Sequence, residues 1–120
     1  MLSDPQSVTV NAVAKSMPRV ETQGRRSVYR KDDETYELSV SHETVGSKTG
    51  PRIRSMVKLV RKDVVADPLT SVNDYENLVV YTVIDRPVAG FSSTTVAQVV
   101  AGFQAWFDGT MVAKIYGQES

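Results

Sequence analysis

Arg52-Ile53-Arg54-Ser55-Met56-Val57-Lys58-Leu59-Val60-Arg61-Lys62 sets the fold, because it is an extended run whose two sides differ in chemistry. Successive side chains of a strand point to opposite faces. Arg52, Arg54, Met56, Lys58, Val60 and Lys62 therefore share one face, and Ile53, Val57 and Leu59 take the other. From Gly46 to Lys62 there are six basic residues (Lys48, Arg52, Arg54, Lys58, Arg61 and Lys62) and no acid, so the polar side is a basic sheet face suited to a polyanion. The same pattern also fits an ordinary half-solvated strand, or an edge strand that carries Lys against aggregation.

Upstream, Val8, Val10, Ala12 and Ala14 alternate with Thr9, Asn11 and Lys15, and Met17-Pro18 breaks this strand before a return over Arg19 to Thr22. An N-terminal β-hairpin is expected. Arg25 to Lys31 follows Gln23-Gly24, and the acidic turn Asp32-Asp33-Glu34 leads into Thr35 to Val45. There Tyr36, Leu38 and Val40 face one way, whereas Glu37, Ser39, Ser41 and Glu43 face the other, which is an antiparallel meander with one wet side. Gly46 to Gly50 turns into the basic strand. A loop over Ala66 to Asp74 precedes the last strand, Leu78 to Asp85.

The period then changes from two to 3.6. Val96, Val99, Val100, Phe103 and Phe107 recur at spacings of three and four, with Ser92 to Thr95 as capping candidates and Gly109 closing the segment. A short second helix over Met111 to Tyr116 follows Thr110 as its N-cap. The fold class is α+β, an N-terminal hairpin and a five-stranded antiparallel sheet followed by two C-terminal helices, in one domain spanning 1–120.

The first helix has no Lys, Arg, Asp or Glu from Thr94 to Phe107, and its other side is small: Ala97, Ala101, Gly102 and Ala105. Surface helices carry a charged face. Two short helices also cannot cover a sheet of five strands, so a homodimer is expected, with Val96, Val99, Val100, Phe103, Trp106 and Phe107 at the interface. A monomer with an exposed apolar face is the alternative.

Net charge conceals the asymmetry, because fourteen basic and fourteen acidic residues cancel. Residues 1–62 hold twelve Lys/Arg against seven Asp/Glu, net +5, and residues 63–120 hold two against seven, net −5. Such asymmetry points to nucleic acid or membrane. The longest uncharged stretch, Pro87 to Phe107, is broken by Pro, Gly and hydroxyl residues, which is unlike a bilayer span. Met1-Leu2-Ser3-Asp4-Pro5 is not a charged leader before an apolar run, so cytoplasmic synthesis is expected.

Catalytic chemistry is sparse. There is no cysteine, and the one histidine, His42, lies on the apolar parity of its strand, with Ser39 and Ser41 on the opposite side. Asp32-Asp33-Glu34 reads as a solvated turn rather than a cation site, and Trp106 as core rather than a cofactor platform. No cofactor, no metal and no enzymatic activity are expected.

The order of elements, with Glu37-Leu38-Ser39-Val40-Ser41, Ser55-Met56-Val57-Lys58-Leu59-Val60, and Val80-Tyr81-Thr82-Val83-Ile84-Asp85-Arg86-Pro87 running into Ser92-Ser93-Thr94, resembles the coat proteins of the small single-stranded RNA bacteriophages, the leviviruses. The resemblance spans essentially the whole chain. It implies an intertwined homodimer with one continuous sheet and assembly of dimers into an icosahedral shell. It also implies binding of a genomic RNA hairpin that represses translation, and a virion protein made in the bacterial cytoplasm. By the same resemblance the RNA face uses Ser39, Ser41, Arg54, Met56, Lys58 and Tyr81. Glu37 and Met56 depart from side chains common in the family, and Ala66 to Asn77, with Pro68, matches its variable loop.

Two other classes share parts of this pattern. A dimeric β-sheet repressor has the basic face and the dimer but does not assemble further. A small dimeric α+β ligand-binding protein or enzyme needs a pocket lined by residues such as Tyr36 and Trp106.

Overall fold

The computed structural model describes residues 2–46, 50–66, 69 and 73–119, with backbone alone at 65, 66 and 73. The elements are β1 (Gln6–Val10), β2 (Val13–Met17), β3 (Arg19–Gln23), β4 (Arg26–Arg30), β5 (Tyr36–Val45), β6 (Arg52–Ala66), β7 (Asn73–Pro87), α1 (Ser93–Trp106) and α2 (Gly109–Tyr116). They fall into two compact units, Met1–Arg86 and Pro87–Ser120. Most of the turn expected over Gly46 to Gly50 and most of the long loop, Pro68 included, lie outside the described residues.

The hairpin differs from the sequence reading in which strands it joins. β1 pairs with β2, Val10 facing Val13, so the turn is Asn11-Ala12 and the return from Arg19 is not its second arm. Both turn residues have positive φ, 52° and 63°, the left-handed pair that a two-residue hairpin with right-handed strand twist requires. Pro18, which cannot donate to a ladder, marks the corner where the chain leaves the hairpin. Arg19 then opens β3, which pairs with β4. Because Ala12 carries a Cβ where glycine is favoured, Ala12→Gly should raise stability by about 1 kcal/mol, read as a higher urea midpoint at unchanged slope.

β3 to β7 form one antiparallel sheet in sequence order, leaving β3 and β7 as its edges. Register settles the faces. Tyr29 opposes Leu38, and Leu38 opposes Leu59. These side chains share one face; Tyr29 and Leu38 form the core with Tyr36 and Met17, and Val8, Val10 and Leu59 pack against it. Met17 and Tyr29 are fully buried, each contributing about 1.5–3 kcal/mol of apolar burial. The Tyr29 hydroxyl accepts from Arg19 Nη2 at 3.2 Å, which satisfies the one polar atom of that buried ring.

The β4–β5 turn is held by its own side chains. Thr35 donates to Asp33 Oδ1 from its hydroxyl at 2.6 Å and its amide at 3.1 Å, and Lys31 donates to Asp33 Oδ2 at 2.9 Å. The Thr35 hydroxyl first, and Lys31 next, hold the Asp33 carboxyl well below its usual range. A depressed carboxylate stabilises the fold above its unfolded-state value near ~4, and that contribution fades as pH falls below it. Acid titration followed by circular dichroism should show the wild type losing more stability below about pH 4 than Asp33→Asn, which lacks the charge at every pH.

In the helical unit, Ser92 caps α1 by accepting from the Thr95 amide at 3.2 Å. α2 starts two residues earlier than its sequence pattern indicated. Asp108, not Thr110, is the N-cap, accepting from the Met111 amide at 3.1 Å, and Gly109 opens the helix rather than closing the previous one. No described helix is long and apolar enough to cross a membrane.

Candidate nucleic-acid interface

The face opposite the core is assembled by the same register. Ser39 opposes Lys58, Ser41 opposes Met56, and Glu43 opposes Arg54 across β5 and β6. On the other side of β5, Val28 opposes Ser39 and Arg26 opposes Ser41. Strand alternation thus puts Arg26, Ser39, Ser41, Arg54, Met56 and Lys58 on one surface. Two contacts extend it to β7: Asp85 meets Arg52 and Arg54, and the Lys62 ammonium sits 4.7 Å from the centre of the Tyr75 ring. Both β7 residues have the parity of Tyr81. Counting along β7 from either contact brings Tyr81, 63% exposed, level with Met56 and Lys58. All six residues expected at an RNA face therefore meet there.

The surface is not uniformly wet. Val28 and Ser39 are buried in it, at 2% and 4% exposure, so its middle is tight and Ser39 is a recessed hydroxyl. Nor are all its cations free. Arg30 donates twice to Glu37 Oε2, at 3.1 and 3.2 Å. Arg52 donates to Asp85 Oδ1 at 2.9 Å, and Arg54 lies 3.6 Å from Asp85 Oδ2. Arg52, the leading influence, together with Arg54 holds the Asp85 carboxyl below its usual value. Among the described residues Lys58 and Arg26 form no ion pair. Asp85, Glu37, Arg30 and Tyr75 were not among the expected site residues. Their parity was legible, but the partners are set by cross-strand register.

His42, on the core-side parity, is exposed, with Nδ1 2.9 Å from the Ser55 hydroxyl, its register partner. Tyr36 is buried in the hairpin core with Lys15 and Arg61 over its ring, and a shallow cleft of about 310 Å3 among the described residues is lined by Arg61, Asp63, Glu76, Asn77 and Leu78.

The helical residues expected at a dimer interface form an exposed ridge. Phe103 stacks on Trp106 and Phe107, with ring centres 6.1 and 6.0 Å apart. Val99, Phe103 and Trp106 are each more than half exposed, Phe107 is 40% exposed, and Val96 and Val100 are half-buried.

A family profile described as phage phiCb5 coat protein matches residues 3–87, well over half of the chain. The chain belongs to this coat-protein family. It is a structural component of the virion and not an enzyme. Solved structures share the fold at low identity. The virus-like particle of bacteriophage AVE019 matches at TM-score 0.78 and 14% identity, over 95% of this chain and 93% of that one. The virus-like particle of Beihai levi-like virus 21 matches at TM-score 0.70 and 16% identity, over 98% and 95%. The bacteriophage EMS014 coat protein matches at TM-score 0.65 and 15% identity, over 88% and 73%. Comparison with curated protein sequences gives no match.

Proposed function

We propose that this coat protein acts as a homodimer whose two sheets join edge to edge, that the dimers close into an icosahedral shell, and that the basic face binds the RNA genome. One observation carries the reading: β7 is an unpaired edge of fifteen residues that also bears Tyr81 on the basic face. Long exposed edges are pairing sites unless blunted by charge, bulge or proline. The other edge, β3, has five residues and an irregularity between Arg19 and Glu21. In β7, Leu78, Val79, Val80, Tyr81 and Val83 are all exposed, with no lysine among them. Joining two such edges about a twofold axis makes one continuous sheet, with both copies of Lys58 and Tyr81 on the same side.

The other face supports the same arrangement. Leu78 and Val80, of opposite parity to Tyr81, and Val57 are exposed on the side where the hairpin packs. The ridge of Phe103, Trp106 and Phe107 is apolar and also exposed. In the dimer each helical unit covers sheet surface of the partner, so that residues 1–120 act as one coat-protein domain with its core completed by the partner. RNA is held by phosphate contacts from Lys58 and Arg54, by the Ser39 and Ser41 hydroxyls beside Met56, and by an unpaired base stacked on Tyr81. Binding of a genomic stem-loop also represses translation. The protein is made and assembled in the bacterial host cytoplasm.

The chain expressed alone in bacteria should form closed particles containing RNA, seen by electron microscopy and by absorbance of the purified particles. Dimers alone, across a range of salt and with RNA added, would replace the shell with the non-assembling repressor.

A further inference from the structure

We propose that Asp85 is an internal substitute for phosphate: its carboxylate occupies Arg52 and Arg54 until an RNA phosphate takes its place. The inference rests on reading this face as the RNA interface. One carboxylate serves two guanidinium groups, Oδ1 taking Arg52 Nε at 2.9 Å and Oδ2 facing Arg54 Nη2 at 3.6 Å, while the Asp85 carbonyl accepts from Arg52 Nη2 at 3.3 Å. A guanidinium recognises carboxylate and phosphate with the same planar fork. The Arg52, Arg54 and Asp85 side chains are 37%, 49% and 40% exposed, so the pairing is solvated, weak and open to exchange. An RNA that brings a phosphate to this point must displace the carboxylate, and RNA contacting only Lys58 gains nothing from the arginines. Asp85 therefore lowers affinity for every RNA that engages the arginines by the cost of displacing its carboxylate.

The test is a salt titration of RNA binding by the full-length protein, with oligouridylate and a stem-loop RNA as probes. Asp85→Asn should tighten oligouridylate binding about tenfold and steepen the log affinity against log salt slope by about one for each phosphate gained. Glu43→Gln removes an equal charge from the same face but frees no arginine, and should shift binding far less. Asp85→Ser should reproduce the gain, and in an Arg52→Gln/Arg54→Gln background the gain should vanish. Equal gains from Asp85→Asn and Glu43→Gln, or a gain that persists without the arginines, would reduce Asp85 to one more negative charge and overturn the proposal. Were wild type and Lys58→Ala to bind RNA alike, the face itself would be wrong and the proposal would fall with it; Lys58 dependence with an inert Asp85→Asn would overturn the proposal alone.

Discussion

Lysines placed at Val80 and Thr82 should leave the chain folded and sharply reduce its assembly. Both side chains are exposed in the single chain, so the substitutions remove little packing from the monomer. In a dimer joined along β7 they bring four ammonium groups to one seam. Four like charges make at most two facing pairs across the seam, each costing about 0.2–1 kcal/mol, so the seam loses up to about 2 kcal/mol. At 1.4 kcal/mol per tenfold, the dimer dissociation constant rises up to about 30-fold. A shell built from dimers is then short of its building block. Light scattering should show a larger monomer fraction at a given concentration, and thermal stability, which rises with protein concentration in a coupled dimer, should be lower than wild type at matched concentration. Particles of normal yield from the double variant would mean that the sheets do not join along this edge.

How far the sequence carries can be judged element by element. The faces of β5 and β6 were legible because each alternates cleanly, and register joins Ser39 to Lys58 and Ser41 to Met56 as strand parity requires. α1 was legible because its apolar period changes to 3.6 after capping hydroxyls, and its cap is Ser92. The N-terminal hairpin was read with the wrong arms because its turn, Asn11-Ala12, lacks the glycine that usually signals two left-handed residues. Pro18 was the stronger break and drew the turn to itself. α2 was started late because Gly109 and Thr110 both carry end signals, while Asp108 makes the hydrogen bond. The ion pairs Arg30–Glu37 and Arg52–Asp85 were beyond reading, since each depends on which strands lie side by side and in what register. Burial of Val28 and Ser39 on the polar face follows from neighbouring strands, not from their own alternation.

Replacing Arg54 and Lys58 together should remove most of the salt dependence of RNA binding. The two residues contribute four positive charges per dimer, and neutralising a phosphate gives a slope of about −0.9 on duplex or −0.7 on single strands, so the wild-type slope from this face is about −3 to −4. Between about 50 and 200 mM salt that slope loses roughly a hundredfold in affinity, and Arg54→Ala/Lys58→Ala should lose far less, for every RNA tested. Lys58 should carry the larger share singly, because it is in no ion pair among the described residues, whereas Arg54 faces Asp85 at 3.6 Å. Tyr81→Ala must behave differently. Stacking of a base on an aromatic ring is worth about 1–3 kcal/mol and is not electrostatic, so this change should weaken stem-loop binding roughly 5- to 150-fold while leaving the salt slope intact. The contrast is diagnostic, since phosphate contacts position RNA without reading it and an unpaired base on Tyr81 selects the loop that presents it. An unchanged salt slope in the Arg54/Lys58 variant would remove the basic face from RNA binding, however well the protein still assembled.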